Sequence, residues 1–186
     1  MIWTITTWVI VGWGTLAVLY AVGAVLLKFP SRTVDDVTAF LLPVDLEQAE
    51  ALLDPAIYFE LRWNLDPKSL KETQRKRLHL YLEIVRRMAH NARVLVELGN
   101  REVDRQEGRT AELIRNLQQE AVKVRAYSLF TALKLRILLA IRPVQAPALT
   151  KLRTFVDIDG IASYKCLRVV STELFEEFGR PLDVSF

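Results

Sequence analysis

The stretch AYSLFTALKLRILLAI, residues 126–141, decides the fold. Read as a membrane span, it makes the chain a two-span membrane protein. Read as a packed helix, it makes everything after residue 27 one helical bundle. Its 16 residues fall short of the roughly 20 that cross a bilayer. Lys134 and Arg136 also stand near its middle, on opposite sides of a helix, where each charge costs about 2.5–3.5 kcal/mol in a bilayer centre. The packed helix is therefore the reading adopted. Val122, Ala126, Leu129, Leu133, Ile137 and Ala140 share one helical face, and Val124, Tyr127, Leu135 and Leu138 a second. That pattern predicts a central helix over 111–142 with neighbours covering it on two sides.

Upstream, Leu78, Tyr81, Val85, Met88, Ala92 and Leu95 recur at spacings of three and four, which predicts a long helix from Pro67 with one buried stripe. Its far side carries Arg75, His79, Arg86, His90, Arg93 and Glu97. Glu72 with Lys76, Glu83 with Arg87 and Glu97 with Arg101 are i,i+4 pairs in the favourable orientation, each worth about 0.2–0.5 kcal/mol. Gly99-Asn100 weakens this helix and Gly108 is expected to end it, with Thr110 capping the next. Asp54-Pro55 and Asp66-Pro67 each place a capping carboxylate before a proline suited to a first helical turn. Asp45 precedes LEQAEALL in the same role, so residues 45–65 should form two short helices. Thr33 and Asp36 mark a further start, with a short amphipathic helix between Val34 and Leu42 before Pro43.

Downstream, Pro143 stops the central helix and Pro147 restarts the chain. Ile161, Tyr164, Leu167, Leu174, Phe175 and Phe178 have helical spacing, and Gly179 with Pro181 makes a helix end. Asp159-Gly160 lies between β-branched stretches, so a small β-hairpin at 154–170 is the alternative to that helix. Helix is favoured, because the periodicity continues to Phe178 and two strands alone are marginally stable. The expected fold class is all-α.

The other end of the chain differs in kind. From Ile2 to Leu27 there is no Asp, Glu, Lys, Arg or His, and a helix of that length rises about 39 Å, more than the roughly 30 Å hydrocarbon core of a bilayer. No basic residue precedes the run, it is too long for the apolar region of a cleaved signal, and its one passable cleavage site, at Ala21-Val-Gly23, lies inside it. Residues 1–27 are thus read as an uncleaved single-pass anchor that meets the lipid bilayer through residues 2–27. Residues 28–44 form a juxtamembrane linker with a short helix, and residues 45–186 a helical cytoplasmic domain. Lys28 and Arg32 follow the run, which by the positive-inside rule places the N-terminus outside and the rest in the cytoplasm. Thr7, Gly14, Ala17, Ala21 and Ala24 put small residues along one face, which would allow two copies to pack as a homo-oligomer. Trp3 suits the outer interface, with Trp8 and Trp13 deeper.

Charge is unevenly spread. Residues 28–66 carry 3 basic and 8 acidic side chains, residues 67–142 carry 17 and 8, and residues 143–186 carry 5 and 6. Within the basic tract, Arg101, Arg105 and Arg109 read as an uncompensated i,i+4 run, the candidate contact for anionic lipid head groups or an acidic protein partner. Nucleic acid is not expected, since the long basic helix offers only Tyr81 for stacking and that ring belongs to the buried stripe.

Catalytic motifs are missing from the sequence. His79 and His90 are three turns apart, about 16 Å, too far to share a metal. The single cysteine, Cys166, excludes an intrachain disulfide and reads as a small buried hydrophobe. Asp157-Ile-Asp159-Gly160 fails the spacing of a calcium loop, which needs Gly at position 6 and Glu at 12. The terminal Val184-Ser-Phe186 is a weak candidate for carboxylate recognition. No cofactor is expected and the catalytic residues are unknown. The function expected is a membrane-anchored helical protein that acts by binding or scaffolding at the membrane surface. Two alternatives remain: an accessory subunit of a membrane complex using the two-faced helix, and a membrane-bound enzyme whose site gathers His79 or His90 with Arg86 and carboxylates of a neighbouring helix.

Overall fold

Three aspartates set the starts of consecutive helices, each by accepting backbone N–H groups that a first turn leaves without partners. Asp45 accepts from Gln48 at 2.8 Å, Asp54 from Ala56 at 2.8 Å, and Asp66 from Lys68 and Ser69 at 3.0 and 3.2 Å. In this computed structural model, which describes residues 34–141 and 155–179, six helices follow in order. They are α1 (Val34–Phe40), α2 (Leu46–Leu53), α3 (Pro55–Asn64), α4 (Pro67–Glu102), α5 (Gly108–Ile141) and α6 (Phe155–Glu177). Pro55 and Pro67 occupy first-turn positions. The uncharged run 2–27, with its tryptophans and its small-residue face, lies outside the described residues. So do Pro143, Pro147, Pro181 and the C-terminal Val184-Ser-Phe186.

Helices α4 and α5 form a hairpin across residues 103–107, and α6 packs along α5 and touches α4 as well. Helices α1, α2 and α3 lie against α4. The whole predicted stripe of α4 is buried: Leu78, Tyr81, Val85, Met88, Ala92 and Leu95 are each no more than 3 % exposed. Burial on α4 widens past the stripe, taking in Leu82, Ile84, Val94, Val96 and Leu98, because α1, α2, α5 and α6 all touch this helix. From α6, Ile161, Tyr164, Leu167, Leu174 and Phe175 complete the core.

Several local expectations are corrected. The hairpin at 154–170 does not form: α6 runs through Asp159-Gly160, and among the described residues there is no strand. Gly160 is buried against Tyr127 of α5. Gly99 does not break α4, which continues to Glu102; its bare Cα makes room for the Gln118 side chain of α5. Thr110 is not a cap, since α5 already begins at Gly108, whose φ of 65° is a backbone state that glycine adopts without strain. At the far end of α6, Gly179 takes φ 68° in the same way, as the sequence anticipates.

Glu97, placed by periodicity on the polar face of α4, is fully buried. It pairs with Arg93 at 2.9 Å rather than with Arg101. The other two predicted pairs form, Glu72 with Lys76 at 2.8 Å and Glu83 with Arg87.

Candidate functional site: the outward face of α5

The buried side of α5 is a regular stripe: Ala111, Ile114, Leu117, Ala121, Val124, Ser128, Thr131 and Leu135, spaced by three and four. Arg125 is buried beside it. Desolvation pulls the Arg125 guanidinium below the ordinary arginine range, and neighbouring Arg93 adds to that, while Glu97 opposes both. The buried carboxylate of Glu97 therefore serves cations from two helices.

The outward line of the same helix changes character halfway along. Glu112, Arg115 and Gln119 are exposed and polar, as expected of a solvated face. Beyond them the line becomes apolar. Val122, Leu129, Phe130, Leu133 and Ile137 keep between 42 % and 57 % of their surface exposed, and Ala126 is exposed with them. The expectation that neighbours cover both faces of this helix is thus corrected. Of the second face, Val124 and Leu135 are fully buried and Tyr127 and Leu138 half-buried. The first face looks outward because α4 and α6 both pack against the opposite side; the Ala140 side chain lies outside the described part. Over this half of the helix Arg125, Ser128 and Thr131 are buried beside Val124 and Leu135, while Val122, Leu129, Phe130, Leu133 and Ile137 stay outside.

The remaining candidates assemble differently from expectation. Helix α4 ends at Glu102, so Arg101, Arg105 and Arg109 do not share one helical face. Arg101 and Arg105 both approach Glu102, at 3.8 and 3.6 Å, and are not uncompensated; Arg109 is exposed at the start of α5. His79 is exposed and distant in sequence from half-buried His90, whose Nε2 lies 3.1 Å from the Phe40 carbonyl. Arg86 is exposed on the same helix. Cys166 is exposed on α6, not buried. Among the described residues no group of three or more His, Cys, Asp or Glu is placed to hold a metal ion.

A furrow of about 570 Å³ separates α2 from α6, lined by Glu50, Leu53, Asp54, Ile158, Ile161 and Lys165. An ion pair between Lys165 and Glu50 crosses it. A second exposed apolar pair, Phe59 and Trp63, stands four residues apart on α3. No helix among the described residues is long and apolar enough to cross a membrane, α5 included. No protein-family model matches the chain, and no curated protein or solved structure matches it.

Proposed function

We propose that the protein is a single-pass, membrane-tethered helical module that works by binding at the cytoplasmic membrane surface, with the outward face of α5 as its contact surface. In this reading residues 1–27 are the anchor, residues 28–44 the linker and residues 45–186 the cytoplasmic domain. The observation that carries the contact surface is the exposed stripe from Val122 to Ile137. An apolar stripe of that length on a water-soluble bundle marks a place where something else docks. The tether is supported by the uncharged run and by the basic residues that follow it. Arg109 at the start of α5 extends the same side of the proposal toward acidic partners.

The test uses the full chain in cells. After alkaline carbonate washing, the chain should stay in the membrane pellet with residues 1–27 present by intact mass. A photo-activated cross-linker at Leu133 should capture a neighbouring molecule, while the same group at exposed Asn116 should not. A soluble chain lacking its first residues contradicts the tether, and equal capture at the two positions contradicts the contact surface.

A further inference from the structure

We infer that the outward face of α5 is a two-fold interface between copies of this chain, with the two α5 helices running antiparallel. The inference rests on the proposed contact surface and names its occupant. Gln119, Val122, Ala126, Leu129, Leu133 and Arg136 are all exposed, and they follow one another at alternating steps of three and four. A step averaging about 3.5 residues is that of a seam between two supercoiled helices. The buried stripe of α5 lies on the opposite side, so the bundle leaves this seam open. The line is also symmetric. Val122 and Leu133 lie equally far from a point between Tyr127 and Ser128, and so do Ala126 with Leu129 and Gln119 with Arg136. A patch with that property is self-complementary under a two-fold axis.

An axis through that point sets Val122 against the partner's Leu133 and Ala126 against the partner's Leu129. The small side chain leaves the room that the large one fills. At each end Gln119 meets the partner's Arg136, whose guanidinium can donate to the amide oxygen. Lys123 keeps its ion pair with Glu120 at 2.6 Å and lays its stem beside the partner's Phe130. A parallel pair is worse, because it sets Arg136 against the partner's Arg136 inside the seam. The area is sufficient. Val122, Leu129, Phe130, Leu133 and Ile137 each keep about half of their surface exposed, and with side chains of this size two copies bring together about 900 Å² from these five alone. With Ala126 and the stems of Lys123 and Arg136 the pair passes the roughly 1,000 Å² at which specific interfaces begin. An interface this small fills where tethered copies share one membrane and empties on dilution in detergent.

The test reads disulfides in membranes of cells that co-express two tagged forms of the full chain, each carrying Cys166→Ser. One form carries Val122→Cys and the other Leu133→Cys, and copper phenanthroline is the oxidant. The antiparallel register puts position 122 of one copy beside 133 of the other, whereas two copies of 133 stand about 16 Å apart along the helix axis. The mixed 122–133 product should therefore exceed the 133–133 product by about tenfold or more. Leu129→Glu, at an exposed position, should lower the mixed product by about tenfold or more through a charge buried in the seam, with helix content by circular dichroism unchanged. A 133–133 product as strong as the mixed one, no product in either combination, or a yield that ignores Leu129→Glu overturns the inference. The photo-activated group at Leu133 separates this failure from that of the contact surface. Capture of lipid or of a different protein alone defeats the second copy and leaves the surface standing, whereas no capture beyond that at Asn116 defeats the surface itself.

Discussion

Asn91 holds both backbone groups of Leu42: its Oδ1 accepts the Leu42 N–H at 2.8 Å, and its Nδ2 donates to the Leu42 carbonyl at 2.7 Å. The same Nδ2 donates to the Tyr164 hydroxyl at 2.7 Å. One buried amide on α4 thus ties the α1–α2 connection and α6 to the centre of the bundle. Asn91→Ala leaves these groups without partners, and each buried polar group so stranded costs about 1–3 kcal/mol. The urea midpoint should fall clearly. Asn91→Asp should also destabilise, because a carboxylate cannot donate to the Leu42 carbonyl.

Tyr164 makes the bundle sensitive to alkali. Burial pushes its hydroxyl up to about 12 from an ordinary value near 10, with the Asn91 hydrogen bond opposing the shift. Between those two values the unfolded chain has lost the proton and the folded chain has kept it. Stability contributed by this group is therefore present below pH 10 and falls as pH rises toward 12. Tyr164→Phe should unfold with a weaker pH dependence over that range, at a cost near neutrality of about 1 kcal/mol for the lost hydrogen bond. Urea titrations at pH 8 to 12 would show the difference.

Arg125 is buried near Glu97, whose charge opposes the desolvation of the guanidinium. Glu97→Ala should cost about 3 kcal/mol, the scale for stranding a buried charge. Changing both partners, Glu97→Leu with Arg125→Met, should recover most of that loss. A double-mutant cycle by chemical denaturation reads the coupling directly.

Leu133 and Leu135 sit two residues apart on α5 with opposite surroundings, 56 % and 0 % exposed. Leu135→Ala should destabilise the bundle by about 3 kcal/mol through the cavity it leaves. Leu133→Ala should stay within about 0.5 kcal/mol, as surface changes do. Equal costs in detergent solution would mean that the outward stripe is packed against protein after all.

Helix starts were legible because their signals are local. Asp45, Asp54 and Asp66 cap turns that begin within three residues, and prolines at 55 and 67 cannot do otherwise than open or break a helix. The α4 stripe was legible for the same reason of short-range period. What periodicity could not supply was the identity of the neighbour. The two apolar faces of α5 look alike in sequence, and only the packing of α4 and α6 decides that Val124 goes inside and Leu129 outside. Glu97 lies on the polar face by local period alone, and its burial comes from a neighbouring helix, which also brings Arg125 near it. Asn91 stands in the sequence as a lone polar residue beside the buried stripe, and its partners Leu42 and Tyr164 are 49 and 73 residues away. The exposed Cys166 went the other way, a small residue with nothing nearby in sequence to say which side of α6 it occupies.

That exposed thiol, the only one in the chain, allows the central claim of a tethered cytoplasmic bundle to be measured on the unmodified protein. Cells expressing the full chain are treated with a membrane-impermeant maleimide, intact or as carbonate-washed inverted vesicles. The proposed tether predicts that Cys166 is unreactive from outside intact cells and fully labelled in the inverted vesicles. Labelling of intact cells, or recovery of the chain in the soluble fraction without residues 1–27, would contradict it.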